Sequence, residues 1–376
     1  MGITNLLPFV KNACRPGNIR ELEGQTVAVD ISCLLHKGLF GCVQQAAEGL
    51  NPKNYITYVQ RRVEALLNLN CYVILVFDGA PLPAKKGVND QRRENRMENM
   101  RVGTFLLSQG KKNEAVGRLQ KAVSLTRDVI EETLEVFRKI SRVDVIVAPY
   151  EADAQLAFLL ENNLADVVIT EDSDLIVFGC SKIVFKWDFE SESCSIYQKS
   201  LLPNCFTGEM NRNFDFIKFR RICILSGCDY LQNGLPGVGL SKSYNFFTKT
   251  SQTQLEKILP RIPSYLKMPK LVVTSSFVQD FIKAELTFLH QIVFDPRQRK
   301  QRPLSSYGNE TCENLHFAGS IAEDFDAVRH SLGNIISESA DNDKFKLPEV
   351  IPSWSVWTSQ SSKNNESEEK PVSCCF

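Results

Sequence analysis

Five apolar runs along this chain each close on an acidic residue, and that repeated ending constrains the fold more than any other feature. The runs are TVAVD, YVILVFD, VIVAPYEAD, VVITEDSD and ICILSGCD, and the acids are Asp30, Asp78, Glu151, Asp153, Asp172, Asp174 and Asp229. Short runs of this kind read as buried strands or helices. Helical spacing follows or separates them, over residues 31–48, 52–69 and 151–162. Strands alternating with helices predict a mainly parallel sheet in a three-layer α/β core. In such a sheet the residues that follow the strands gather at the carboxyl edge, where ligands bind.

Each acid taken singly also reads as a helix cap or a turn residue. Asp78 precedes Gly79 as in a turn, Asp30 stands where it can cap a helix, and Glu151 and Asp153 fall in a first helical turn. Capping, however, needs one acid per helix, and this chain supplies two acid-x-acid pairs, Glu151 with Asp153 and Asp172 with Asp174. Carboxylates crowded at one edge repel one another unless cations neutralise them. An all-oxygen donor set selects magnesium or manganese over zinc. Only four histidines and no C-x-x-C argue against zinc. The twelve cysteines have no paired metal spacing, and several, such as Cys71, Cys223 and Cys228, lie inside apolar runs, as reduced core thiols do. The pattern points to a metal-dependent phosphoryl-transfer site.

Net charge is zero, but its distribution is uneven. Between Lys85 and Arg127, eleven basic residues face four acidic ones, Asp90, Glu94, Glu98 and Glu114. That is a footprint for a polyanion or a solvated helical face. Residues 88–140 read as two polar helices divided near Gln109-Gly110, an insertion mobile relative to the core. Because it follows Asp78 directly, Lys85 and Arg92 are placed to stabilise transition-state charge on a phosphate, while Arg93, Arg96 and Lys111 steer a backbone. Further strands are expected over 143–147, 167–170 and 183–186, and helices near 214–226, 240–248, 252–259 and 276–290. The opening, residues 1–25, reads as a short amphipathic segment, the stretch after 290 as irregular wrapping, and residues 358–371 as disordered tail. Nothing near the N-terminus reads as a signal peptide and no apolar run spans a membrane, so a soluble intracellular protein is expected. The string GLPGVGLSK, from Gly234 to Lys242, departs from a Walker A loop because Leu240 follows Gly239. It reads either as a helix connector or as a backbone cradle for phosphate.

The strings MGITNLLPF, VAVDISCLLHKG, ILVFDGAPLPAKK, VAPYEADAQLAF, ITEDSDLIVFGC and ILSGCDYL resemble the structure-specific 5′ nuclease superfamily, and most closely its double-strand exonuclease branch, from Met1 to about Leu304. The resemblance implies a PIN-like core, a helical arch, a helix-two-turn-helix element and two Mg2+ ions, with Mn2+ able to substitute. It implies 5′-to-3′ digestion of double-stranded DNA and 5′-flap cutting, in mismatch repair and recombination in the nucleus. It further implies a monomer whose mismatch-repair partners dock through a tail not seen in this sequence. The family's metal carboxylates fall on the seven acids named above, and its arch cations on Lys85 and Arg92. DNA contacts fall on Gly2, His36, Arg93, Arg96, Gly237, Gly239 and Lys242. A potassium ion is implied in the hairpin, with Ser226 the matching side chain. The implied divisions are 1–99 and 138–229 for the nuclease regions, 100–137 for the rest of the arch, 230–290 for the helix-two-turn-helix, 291–357 for a C-terminal wrap and 358–376 for the tail.

Three positions depart from the family pattern. Ser32 stands where an aromatic residue is expected near DNA, Asn95 replaces a basic arch residue, and the hairpin over 232–236 is one residue longer. Two other readings compete with the exonuclease: a flap- or junction-specialised enzyme of the same superfamily, and a DNA-binding scaffold that has lost catalysis. The intact acidic set argues against the scaffold. The basic run over 297–302 reads as a solvated stretch ahead of a nuclear-import patch.

Overall fold

The computed structural model describes residues 2–47, 53–231, 234–250, 252–308 and 311–358. The expected disordered tail, apart from Thr358, and hairpin positions 232 and 233 lie outside the described residues.

Seven strands form one sheet: β1 (Cys14–Asn18), β2 (Thr26–Asp30), β3 (Tyr72–Phe77), β4 (Val143–Val147), β5 (Val167–Ile169), β6 (Lys182–Phe185) and β7 (Ser193–Gln198). Their order is β1-β7-β6-β5-β2-β3-β4, parallel from β6 through β4 and antiparallel at the β1–β7 and β6–β7 pairs. The parallel strands carry near-continuous apolar sequence because both their faces are covered, and all five residues of β4 are buried.

The main helices are α1 (Ile31–Ala47), α2 (Asn54–Asn68), α3 (Lys86–Ser108), α4 (Lys112–Ala122), α5 (Arg127–Phe137), α6 (Ala152–Glu161), α7 (Asp174–Phe178), α8 (Phe216–Leu225), α9 (Leu240–Thr248), α10 (Ser275–His290) and α11 (Asp324–Ser331). The chain winds outward from β2 to β3 to β4, then returns through α6 to β5 on the other side of β2. Right-handed crossovers therefore put α6 on the face opposite α1 and α2. The winding direction switches between β2 and β5, so the carboxyl ends of those two strands flank the crevice in which α/β sheets bind ligands. Register brings the acids to that level, because Val29 pairs with Ile169 and Asp30 with Val76, two residues before Asp78.

Four expectations are corrected. The opening segment contains β1, whose CRPGN sequence reads as a turn but is held as an edge strand by pairing with β7. Strand β7, of sequence SCSIYQ, lies outside the expected strands and is held by its pairing with β1 and β6. The insertion ends at α4, because the Thr126 hydroxyl accepts from Val129 N at 3.4 Å and starts a separate helix, α5. That helix buries Leu134 and Phe137 and belongs to the core. The stretch after α10 is ordered as a hairpin, β8 (Ile292–Asp295) with β9 (Lys300–Pro303), followed by α11. In that hairpin the basic run is partly spent internally, Arg297 on Asp295 at 3.1 Å and Lys300 on Asp324 at 2.8 Å. The helix expected over 252–259 is one α-turn, Leu255–Ile258, continued as a 3-10 turn. Among the described residues no helix is long and apolar enough to cross a membrane.

The last described segment packs against β3 and β4. Buried Asp144 accepts from the Ser355 hydroxyl at 2.9 Å and from Val356 N at 2.7 Å, while Trp354 packs on Tyr72 with ring centroids 4.6 Å apart. Asp144→Ala should leave both donors without an acceptor and lower unfolding stability by about 1–3 kcal/mol. Urea titration of the variant beside Ser355→Ala checks this, the serine change being the milder of the two.

Candidate active site

The acids after β2, β3, β4 and β5 meet around a cavity of about 300 Å³. Asp30, Asp78, Glu151, Asp153 and Asp172 line it, together with Ser32, His36, Lys85, Asn89 and Arg92. Gly79 makes the approach of β3 to β4 possible. Its N–H donates to Tyr150 O at 2.6 Å, and a Cβ there would stand 1.9 Å from Ala148 O.

Protein donors fix most of the carboxylates. Asp30 accepts from the Thr170 hydroxyl and the Cys33 thiol, each at 2.8 Å, and from Cys33 N at 3.3 Å. Asp78 accepts from Ser32 Oγ at 2.7 Å and from Ala152 N at 2.8 Å, so it caps α6 from a neighbouring strand. Glu151 holds the N-cap position of that helix without capping it; its side chain turns instead to the site. Asp172 accepts from Asp174 N at 2.9 Å. Asp174 lies deeper, 4% exposed, and accepts from Ile3 N at 3.0 Å. Gly2 stands beside this pair at φ +81°, where a Cβ would fall 2.3 Å from Asp172 Oδ1. The Asp30 and Asp78 contacts show that the capping reading holds in part, alongside a surplus of acid that capping does not use.

Two cations from the start of α3 close the cluster. Lys85 Nζ bridges Glu151 Oε1 and Asp229 Oδ2, the second at 2.8 Å. One Arg92 nitrogen meets both oxygens of Asp229 at 2.9 Å. Burial, and then the charge of Asp78, push Asp30 up to about 6. Burial, then Asp172, holds Asp153 and Asp174 well above the usual carboxylate range, and burial raises Asp172. Burial alone would raise Asp229 too, but Lys85 and Arg92 outweigh it and hold that carboxyl low. Burial opposes the Lys85 charge, yet Glu151, Asp229 and Asp153 overcome it and shift the ammonium upward.

The other sequence candidates lie in different places. His36 lines the cavity, and burial pushes its imidazolium down despite the nearby Asp78. Arg96 is half-buried near His36, whereas Arg93 is exposed and stands 3.5 Å from Asp90. Gly237, Gly239, Lys242 and Ser226 are not among the residues that line the cavity. Gly237 has φ +73° and gives its carbonyl to Lys242 Nζ at 2.8 Å; Gly239 is the N-cap residue of α9. Ser226 caps the C-terminal end of α8 and donates to Cys223 O at 2.7 Å, which leaves its oxygen lone pairs free to accept a cation. Sequence reasoning missed Cys33, Thr170, Tyr230 and Gln291. Tyr230 is adjacent to Asp229 and could have been weighed with it; Gln291 carries no local signal.

Among the described residues no three Asp, Glu, His or Cys groups form a ready-made cation cage. Most of the oxygens are committed to protein donors and to Lys85 and Arg92 instead. The donor set nevertheless fits a hard divalent cation, being all oxygen, crowded, desolvated and short of positive charge.

The XPG N-terminal domain description matches residues 1–99 and the XPG I-region residues 142–229. Exonuclease 1 of Danio rerio is 41% identical over 341 residues, which cover 89% of this chain and 41% of that protein. Exonuclease 1 of Xenopus laevis is 40% identical over 377 residues, 98% of this chain and 50% of its own length. The chain thus spans half or less of these relatives' length. A solved structure, the catalytic core of Rad2 in complex with DNA substrate, superposes with a TM-score of 0.52 at 24% identity, covering 74% of this chain and 85% of that one. It shares the fold. The chain belongs to the XPG family of structure-specific 5′ nucleases.

A pH consequence follows from the raised carboxyls. The folded, metal-free protein holds protons that the unfolded chain has released, so the Asp30 contribution to stability is full below the unfolded value and disappears as pH rises through about 6. The Tm of chelator-treated protein should fall between about pH 4.5 and 7. Asp30→Asn should flatten that slope in differential scanning fluorimetry; an unchanged slope counts against the assignment.

Proposed function

We propose that this chain is a magnesium-dependent 5′-to-3′ exonuclease of double-stranded DNA with 5′-flap endonuclease activity. The observation that carries the reading is the meeting of Lys85 and Arg92 with the carboxylate cluster at one cavity. A pocket with acids for cations and fixed cations for a phosphate suits phosphodiester hydrolysis. The likeness to proteins named Exonuclease 1 supports the exonuclease assignment, and the Rad2 core, solved with a DNA substrate, supports a DNA partner.

In this reading the seven acids would hold two Mg2+ ions, or Mn2+, which when bound would supply water activation and charge neutralisation for the displacement. Asp30, Asp78, Glu151, Asp153 and Asp172 face the cavity, while Asp174 and Asp229 act from behind it or from its rim. Lys85 and Arg92 stabilise charge on the reacting phosphate. Arg93 and Arg96 steer the strand electrostatically, and Gly2 and His36 contact the DNA close to the cut. Residues 230–290 anchor the duplex through Gly237, Gly239 and Lys242, with K+ at Ser226. Residues 1–99 and 138–229 form the nuclease, 100–122 complete the arch, α5 packs with the nuclease core and 291–357 wraps that core. The resemblance to the superfamily extends this reading to a nuclear monomer acting in mismatch repair and recombination.

A duplex labelled at its 3′ end, incubated with magnesium or with chelator, tests this. The natural chain should give a ladder only with metal, and Asp172→Ala should cut at least about 100-fold more slowly while still binding duplex. Metal-independent binding with no product from this duplex or from a 5′ flap would leave a scaffold in its place.

A further inference from the structure

Glu151 is held from behind by two residues outside the matched XPG regions. The Tyr230 hydroxyl donates to Glu151 Oε2 at 2.6 Å. Gln291 Nε2 lies 3.3 Å from the Tyr230 oxygen and 3.5 Å from Glu151 Oε2. The shorter contact sets the geometry: with the amide donating to the tyrosine oxygen, the hydroxyl proton is left to point at Glu151. Both side chains are buried, Tyr230 6% and Gln291 0% exposed, and the tyrosine ring stands edge-on to Phe288 with centroids 4.8 Å apart. The other carboxylate oxygen, Oε1, meets Lys85 at the cavity.

Gln291 retains a polar group at a cost. Its Oε1 is buried and has no hydrogen-bond partner among the described residues. An orphaned amide oxygen destabilises a core, and a leucine or methionine would fill a similar volume without it. A buried polar group kept unsatisfied calls for an explanation other than packing.

We propose that Tyr230 and Gln291 are positioning residues for Glu151. They fix its carboxylate so that Oε1 faces Lys85 and the cation position, and they act through Glu151 without touching substrate. This rests on the nuclease reading above, and it assigns Gln291, from the segment after α10, a part in the site.

The test uses the full chain with Tyr230→Phe, Gln291→Leu and both together. Manganese(II) is titrated into DNA-free protein and followed by the free-ion paramagnetic resonance signal; cleavage of the 3′-labelled duplex is followed against magnesium concentration. Tyr230→Phe should weaken manganese binding and raise the half-saturating magnesium concentration, each about tenfold, with lower kcat and KM for DNA within about twofold. Gln291→Leu should shift both readouts in the same direction by less, and the double variant should be no worse than Tyr230→Phe alone. Tyr230→Phe that melts at the natural temperature yet binds manganese and responds to magnesium like the natural chain would overturn the proposal. Should Tyr230→Phe not fold, natural behaviour of Gln291→Leu in both titrations overturns it equally. A natural chain that binds manganese but cuts no DNA defeats the nuclease reading separately, and the manganese comparison then decides the positioning claim by itself.

Discussion

Like charges buried at one sheet edge are the constraint on which this architecture depends. The switch in winding between β2 and β5 brings strand ends together there, and the sequence places acids at those ends. At an effective dielectric of about 20, two unit charges about 4 Å apart interact by about 4 kcal/mol, so neighbouring carboxylates cannot all ionise freely without positive charge between them. The raised Asp30, Asp153 and Asp174 record that repulsion together with burial. Asp229, the acid touched by both Lys85 and Arg92, is the one held low.

The same balance joins the arch to the core. Gly103 is the one residue of α3 counted as buried, so little apolar burial anchors that helix. Its base is tied by Lys85 to Glu151 and Asp229 and by Arg92 to Asp229. Removing one partner of a buried ion pair leaves the other charge uncompensated, which is far more costly than losing an exposed pair. Lys85, 13% exposed, is in the first situation, whereas Arg93 with Asp90 is in the second. A divalent ion that takes the oxygens of Glu151 or Asp229 competes with Lys85 for the same lone pairs. On the nuclease reading, cation binding and the seating of the arch base are coupled through shared atoms.

The features legible in the sequence were those written in local order. Strand β3 is delimited by an apolar run that ends sharply at Asp78, and α9 by Gly239 ahead of an apolar-periodic segment. Strands β1 and β7 were not legible: CRPGN and SCSIYQ carry turn and polar residues, and they are strands through pairing with each other and with β6. The break before α5 is written in Thr126, but Val116, Leu119, Val123, Leu125 and Val129 carry one apolar stripe across it. At the site, the acids could be listed from their spacing, whereas their partners could not. Thr170 and Gln291 each meet a carboxylate 140 positions away, through the fold, whereas Cys33 lies three residues after Asp30 and was hidden only because a thiol carries no capping signal.

Ser32 shows what local chemistry adds to the family pattern. At a position where the resemblance leads one to expect an aromatic ring, this chain has a hydroxyl, and that hydroxyl donates to Asp78 Oδ2. Stacking of a base on an aromatic side chain contributes about 1–3 kcal/mol, and serine cannot supply it. A charge-assisted hydrogen bond to a cavity carboxylate is gained in its place. On the nuclease reading, the chain trades a contact with a base for order in its acid cluster, and His36 and Tyr150 are the aromatic groups that line the cavity. Hold on the substrate then falls more heavily on phosphate contacts from the arch and the hairpin. Such contacts are insensitive to base identity and weaken steeply with salt.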